Sequence, residues 1–182
     1  ICEGYKMNEK LFPAVYEDQR NNVFDPGVTC AATTLSMLIQ SKDGGHPRHL
    51  EDEIITELRD KYGNHKALRE DFNFLAKWAK DRYGVSLKYK GYNKNDWLAL
   101  MVNSKHPFMT STSNALTSFG HIVLWRGFKV IDEELHLCFN DPYGCHPYGD
   151  KKASGEGVYY KASLFPFEAG GKQKTYHTLT YA

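Results

Sequence analysis

Cysteine is scarce in this sequence, and the few cysteines present form no scaffold. Only four occur among 182 residues, at positions 2, 30, 138 and 145, and there is no Cys-x-x-Cys pair. Small secreted folds that depend on disulfides are much denser in cysteine, and structural zinc sites usually take ligands from such pairs. Both classes are therefore excluded, and each cysteine has to be considered singly.

An excess of charge of either sign is also missing. The 23 Lys and Arg residues nearly balance the 22 Asp and Glu residues, which gives a formal net charge of +1. Nucleic-acid-binding proteins normally carry a basic excess gathered on one face. We therefore expect no nucleic-acid partner.

Long apolar runs are absent as well. No run approaches the roughly 20 residues that a membrane-spanning helix needs, so we expect no integral membrane segment. Residues 1–6 (Ile-Cys-Glu-Gly-Tyr-Lys) contain no apolar stretch typical of a signal peptide, so none is visible. Because the chain does not start with Met, we expect it to be trimmed, and its first residues leave the compartment open.

What is present is the composition of an ordinary globular protein, with 41% hydrophobic and 25% charged residues. Its length fits a single domain spanning residues 1–182. Apolar periodicity predicts helices at 30–40, 49–62 and 66–82, and one capped by Asn95 that ends near Asn103. Alternating patterns predict strands at 85–89, 107–111, 121–128, 135–139 and 158–160. This order indicates an α+β fold with a helical part at about 29–104 and an antiparallel sheet at about 107–182.

Cys30 is the first candidate for chemistry. It follows an Asp-Pro-Gly turn at 25–27 and stands at the start of the predicted apolar helix. The positive end of the helix dipole favours a thiolate there, which is the nucleophilic form of cysteine. The alternative is a small hydrophobic residue at the start of a core helix, because free cysteine is often buried.

His121 and Asp141 are the second and third candidates. His121 begins a predicted strand, and Asp141 follows the strand expected to pair with it. In a hairpin, the start of the first strand lies beside the end of the second, so the two side chains are predicted to be close. The alternatives are a structural histidine and an ordinary Asn-Asp-Pro-x-Gly turn.

Together these residues supply the parts that nucleophilic catalysis needs. A cysteine nucleophile requires a base, and the imidazole requires a third group that fixes its orientation. Cys30, His121 and Asp141 have those chemistries. Gln19 lies in the irregular segment before Cys30, where its amide is placed to stabilise an oxyanion. The alternative for Gln19 is a plain surface residue.

Four segments carry a resemblance to a known family. Residues 19–22 (Gln-Arg-Asn-Asn) and 28–37 (Val-Thr-Cys-Ala-Ala-Thr-Thr-Leu-Ser-Met) resemble the nucleophile region of papain-like cysteine peptidases of the bacteriocin-processing type. Residues 120–128 (Gly-His-Ile-Val-Leu-Trp-Arg-Gly-Phe) resemble their Gly-His-strand segment, and 139–144 (Phe-Asn-Asp-Pro-Tyr-Gly) their closing Asn-Asp-Pro-x-Gly. The resemblance covers about residues 15–160, with the segments in family order.

The resemblance implies a papain-like fold and a cysteine peptidase. Cys30 would be the nucleophile, His121 the base, Asp141 the orienting acid and Gln19 the oxyanion-hole donor. Such a peptidase needs no metal and no organic cofactor. Free-standing relatives include secreted and phage-borne cell-wall lysins, so the implied substrate is a peptide or the peptide part of peptidoglycan. We therefore favour a monomer that is secreted or delivered by a phage.

Two other functions remain open. The same residues would also serve acyl transfer, as in transglutaminase-like or amidase chemistry. Ala31-Ala32 stands where the relatives usually have Gly-Pro. That departure keeps a catalytically inactive binding module of the same fold as a further alternative.

The remaining candidates are weaker. His46 and His49 are spaced for a metal, but no zincin-like motif accompanies them and we interpret them as surface residues. We interpret Cys138 as a packed strand residue, and Cys145 as an exposed thiol or a disulfide partner of Cys2. An aromatic cleft wall is one interpretation of the tyrosines that follow Asp141, which are Tyr143, Tyr148, Tyr159 and Tyr160.

Overall fold

A computed structural model describes residues 8–43, 49–63, 70–118, 120–145 and 153–182. Within these ranges the helices are α1 (Cys30–Asp43), α2 (Leu50–Tyr62), α3 (Phe72–Tyr83) and α4 (Lys94–Asn103). Short 3-10 helices lie at Gln19–Asn21 and Ala162–Leu164. The strands are β1 (Glu9–Leu11), β2 (Leu87–Tyr92), β3 (Phe108–Ser111), β4 (Ile122–Ile131), β5 (Glu134–Asn140), β6 (Val158–Lys161), β7 (Glu168–Ala169), β8 (Lys172–Gln173) and β9 (Tyr176–Tyr181).

One antiparallel sheet carries the fold, with the strand order β2-β9-β3-β4-β5-β6. β4 bulges between Trp125 and Gly127, and β1 pairs with it beyond the bulge. β7 and β8 form a separate small hairpin.

The two faces of the sheet contact different layers, because side chains alternate along a strand. On β4, Ile122 and Leu124 pack against the helical core, whereas Val123 and Trp125 point into a second, aromatic core. The helical core is centred on α1, in which every side chain from 31 to 40 is buried. The helix is buried on every side because it contacts α2, α3 and the strands β3 and β4.

The aromatic core lies under α4. The ring of Trp97 stacks on Tyr176 of β9 with centroids 4.2 Å apart, and it meets Phe165 edge-on at 5.2 Å. The indole N–H of Trp97 donates to Thr110 at 2.9 Å, so the buried polar group is satisfied.

The predicted α+β fold is confirmed, with corrections at two helix ends. The third helix begins at Phe72, where Asp71 caps it by accepting from the N–H of Phe74, and the predicted residues 66–69 lie outside the described ranges. The cap of α4 is Asn93 rather than Asn95, because Asn93 accepts from the N–H of Asp96 at 2.8 Å.

The strands β1, β7, β8 and β9 were not predicted from the sequence, and β9 lies between β2 and β3 in the sheet. Among the described residues, no helix has the length and apolar character needed to cross a bilayer.

Candidate active site

Cys30 is the first residue of α1, as predicted, and its side chain is half-buried. The preceding segment is clamped to the start of this helix by Asn22, whose side-chain amide donates to the hydroxyls of Thr29 at 2.8 Å and Thr33 at 2.9 Å. The first backbone N–H groups of a helix have no partner within the helix. The sulfur is therefore fixed beside a row of donors.

His121 and Asp141 are brought together by the predicted hairpin of β4 and β5. In its register Leu124 lies opposite Asn140, which places the residue before β4 near the residue after β5. The link at Asp132 and Glu133 has positive φ at both residues (50° and 62°), as tight hairpin turns require. As a result, Nε2 of His121 lies 2.6 Å from Oδ1 of Asp141, and both side chains are buried.

The Asp141 carboxylate receives two more hydrogen bonds. The backbone N–H of Tyr143 donates to Oδ1 at 2.9 Å, and the hydroxyl of Tyr160 donates to Oδ2 at 2.7 Å. Burial alone would raise the pKa of Asp141, but the charge of His121 and these hydrogen bonds hold it below its ordinary value. Asp141 therefore stays ionised inside the protein.

The imidazole of His121 lies between two partners. Its ring hydrogen-bonds Asp141 through Nε2, and it lines the same cleft as Cys30. Burial alone would lower the pKa of His121, but the negative charge of Asp141 and its hydrogen bond to the ring raise the pKa to about 10, with Cys30 adding to the rise. The ring is thus a cation near neutral pH.

Gln19 is buried, not a surface residue, and it connects the two sides of the site. Its backbone N–H donates to the carbonyl of Pro142, next to Asp141, at 2.8 Å. Its side-chain amide donates to the carbonyl of Pro26, in the loop before Cys30, at 2.8 Å. A carboxamide has two N–H donors, and the second has no partner in the described part of the chain.

A cleft of about 610 Å³ opens between the starts of α1 and α3 and the sheet, with Cys30 and His121 in its wall. The opposite wall includes Tyr89 and His177, whose side chains hydrogen-bond at 2.8 Å. Burial lowers the pKa of His177, so this second histidine is neutral near pH 7. Phe72 meets both rings edge-on, at 6.1 and 6.2 Å, and completes an aromatic patch.

Neither this aromatic patch nor the role of Tyr160 was predicted from the sequence. The aromatic wall predicted from the tyrosines after Asp141 is wrong for the described ones, since none of them lines the cleft. Tyr160 instead lies behind Asp141 and orients it. The only sequence signal for this role was the alternation along β6.

Ala31 and Ala32, the departure from the family pattern, are buried in the helical core, and neither belongs to the described cleft wall. The other cysteines lie apart from this cleft in the described chain. Cys138 is buried in β5, as expected, whereas Cys145 is half-buried. Cys2 lies outside the described residues, and so does its suggested pairing with Cys145.

His49 is exposed, as predicted, and its Nδ1 lies 3.1 Å from Oε1 of Glu51. Glu17 is close to both, so that one ligand atom from each residue lies within 4.8 Å of the others. His46, its predicted companion, lies outside the described residues. Burial and the nearby carboxylate of Glu17 raise the pKa of Glu51 to about 7.

Comparison with known proteins bears on the fold and the family of this chain. No curated protein matches the chain in sequence. The fold is similar to that in the crystal structure of UfSP from C. elegans, with a TM-score of 0.55 and 13% sequence identity over 94% of this chain. The chain covers only 33% of the length of that protein.

The model of the Peptidase_C39 like family matches residues 13–163, which include every residue of the site described above except His177. With its papain-like α+β fold, the chain therefore belongs to the Peptidase_C39 like family.

Proposed function

We propose that this chain hydrolyses peptide bonds through an acyl-enzyme formed on Cys30. The observation that carries the proposal is the position of His121, which hydrogen-bonds Asp141 through Nε2 and lines the same cleft as Cys30. A nucleophile, a base and an orienting carboxylate in this arrangement suit acyl transfer.

Because the pKa of His121 is raised to about 10, the imidazole ring is protonated before the substrate binds. In the proposed mechanism the sulfur of Cys30 attacks the carbonyl carbon of the substrate as a thiolate. The carbonyl electron pair moves onto oxygen, and Nδ1–H of His121 then protonates the leaving nitrogen as the C–N bond breaks. His121, now neutral, removes a proton from water, and the hydroxide attacks the thioester. Collapse releases the acid and the thiolate, with the proton retained on His121.

The proposed oxyanion hole combines two donors. One is the second amide N–H of Gln19, and the other is the backbone N–H of Cys30 at the start of α1. Both belong to rigid segments, because Gln19 is held from two sides and Cys30 begins a buried helix. Donors fixed in advance stabilise developing charge without reorganisation.

The proposed substrate is a peptide bound along the cleft. The substrate side chain next to the scissile bond would contact the aromatic patch of Phe72, Tyr89 and His177. This patch favours an apolar substrate side chain, because His177 is neutral near pH 7. The proposed substrate class includes the stem and cross-bridge peptides of peptidoglycan. The proposed location is outside the producing cell, reached by secretion or by phage delivery. These two proposals rest on the resemblance of the sequence alone.

The test compares Cys30→Ala with Cys138→Ala in a peptide-hydrolysis assay. Cys30→Ala should abolish turnover and leave the circular dichroism spectrum unchanged. Cys138→Ala, which removes a buried thiol in β5, should retain turnover. Iodoacetamide at mildly acidic pH should label Cys30, because only a thiolate reacts there. An added amine acceptor should leave the free acid as the sole product. Full activity of Cys30→Ala would refute the mechanism, and amide products would indicate a transferase.

A further inference from the structure

A second cluster of ionisable groups lies away from the cleft, where three segments meet. Glu17 comes from the segment before the 3-10 helix, His49 directly precedes α2, and Glu51 lies in the first turn of α2. We call these residues the Glu17–His49–Glu51 cluster. Both carboxylates are buried, whereas His49 is exposed and opens the cluster to solvent.

The inner contacts of the cluster fix the two carboxylates close to each other. Oε1 of Glu17 accepts from the backbone N–H of His49 at 2.9 Å and from the amide of Gln40 at 3.2 Å. Oε1 of Glu51 lies 3.1 Å from Nδ1 of His49. In a tetrahedral site with metal–ligand bonds of about 2.1 Å, neighbouring ligand atoms are about 3–3.5 Å apart. The His49–Glu51 separation already has that value.

Three buried oxygen atoms in this region have no hydrogen-bond partner in the described chain. They are Oε2 of Glu17, Oε2 of Glu51 and the amide oxygen of Gln40, and each of these side chains is at least 97% buried. No Lys or Arg of the described residues forms an ion pair with either glutamate. Buried acceptors of this kind are costly unless a hydrogen-bond donor or a cation satisfies them.

We propose that the Glu17–His49–Glu51 cluster binds one divalent transition-metal ion of the Zn²⁺ type. One carboxylate oxygen from each glutamate and Nδ1 of His49 supply three ligands, which is a donor set that Zn²⁺ accepts. A water molecule would supply the fourth ligand. The site is separate from the cleft, and its function is structural.

The bound ion would join the segment that carries Gln19 to the start of α2. Glu17 lies two residues before Gln19, so fixing its carboxylate also fixes the proposed oxyanion donor. Metal binding to a folded site stabilises the folded state, because the unfolded chain offers no such arrangement. The proposal does not depend on the peptidase activity, and its test uses no activity measurement.

The test measures metal content and thermal unfolding of the full chain. Every sample carries Cys30→Ala, so that the thiol and His121 cannot bind the probe together. After dialysis against Zn²⁺, we expect one Zn²⁺ per chain by mass spectrometry and a higher Tm than in chelator. Loss of a residue that merely orients a ligand costs about 10–100-fold in metal affinity, so Glu51→Gln and His49→Ala should each weaken binding at least about tenfold.

Matched controls separate metal binding from folding and from unspecific surface binding. Glu53→Gln removes an exposed carboxylate from the same helical turn, and His106→Ala removes an exposed imidazole elsewhere. Both should bind Zn²⁺ like the parent. His49→Ala alters an exposed side chain, so it remains informative if a glutamate variant fails to fold.

Two results would overturn the proposal. One is Zn²⁺ content in His49→Ala equal to that of the parent, and the other is no Zn²⁺ retained by the parent at all. In the second case the two carboxylates share a proton instead, and Glu51→Gln should then raise the Tm in chelator.

Discussion

The hydroxyl of Tyr160 donates to Oδ2 of Asp141 at 2.7 Å, while the other oxygen of the same carboxylate holds His121. Tyr160 lies on β6 and pairs with Leu137 of β5, so the donor comes from the neighbouring strand. With the N–H of Tyr143 as a third donor, the carboxylate cannot rotate. The orientation of the imidazole is thus set by the sheet itself.

Replacement of Asp141 by Asn should impair the chemical step more than it impairs the fold. The amide no longer stabilises the charged ring and can present N–H to Nε2, so we expect kcat to fall by about 10²–10⁴-fold. Tyr160→Phe leaves the carboxylate in place and should reduce kcat much less. Steady-state kinetics gives the ratio of the kcat of each variant to that of the wild type. Equal kcat values in the wild type and Asp141→Asn would exclude an orienting role for Asp141.

Gln19→Ala tests the oxyanion hole. Because the second amide N–H is proposed to bind only the developing negative charge, kcat should fall about 10²–10³-fold with little change in KM. Asn21→Ala, in the same 3-10 helix but exposed, serves as the control and should keep wild-type kinetics. A change confined to KM would assign Gln19 to substrate binding instead.

Gly155 is a position where a single methyl group should displace the site. A Cβ there would lie 1.9 Å from the backbone oxygen of Asp141, which is closer than any contact permits. We expect Gly155→Ala to lower the free energy of unfolding by about 1–3 kcal/mol and to reduce activity. Gly27→Ala has no atom within 4 Å of the added Cβ and should be tolerated in the same urea titration. A wild-type unfolding midpoint for Gly155→Ala would contradict this packing.

The pH dependence of stability should report the ionisation of His121. Its pKa rises from 6.5 to about 10 on folding. Its contribution is therefore fully present below pH 6.5 and is lost as the pH rises through about 10. The pKa of Asp141 is lowered, so its contribution is present above its ordinary 3.8 and is lost only as the pH falls further.

The measurement is urea unfolding at a series of pH values, with Asp141→Asn as the reference. The variant loses the charge that raises the pKa of His121, whereas other titrating groups stay the same in both proteins. We expect the stability difference between wild type and variant to shrink as the pH approaches about 10. A difference that is constant from neutral to alkaline pH would mean that His121 is already neutral.

The local parts of the fold and site could be predicted from sequence. Apolar periodicity located α1, so Cys30 was placed at a helix start, and the β4–β5 hairpin followed from two alternating segments with a short link. Proximity of His121 and Asp141 is a consequence of hairpin geometry alone. These features depend on residues that are near one another in the chain.

The parts that were missed depend on distant contacts. β9 pairs with β2 and β3, which lie far before it in the sequence, and no local pattern reveals such a pairing. Tyr160 reaches Asp141 only because β6 adds to the sheet edge, and Gly155 matters only because the backbone of Asp141 passes beside it. The burial of Gln19, which rules out its alternative as a surface residue, likewise depends on the distant carbonyl of Pro142.

The site residues come from two layers of the fold, the helical layer and the sheet. The proposed catalytic site is therefore complete only when α1 is packed on the sheet. Cys30 begins a helix on one face of the sheet, whereas His121 and Asp141 belong to a hairpin that forms from neighbouring residues. In the proposed mechanism, the hairpin alone would hold His121 on Asp141 with no thiol to activate, and the helix alone would carry the thiol of Cys30 with no base beside it. The rate of peptide hydrolysis would thus report whether α1 is packed on the sheet. A perturbation that separates α1 from the sheet would abolish activity without altering the reactive side chains themselves.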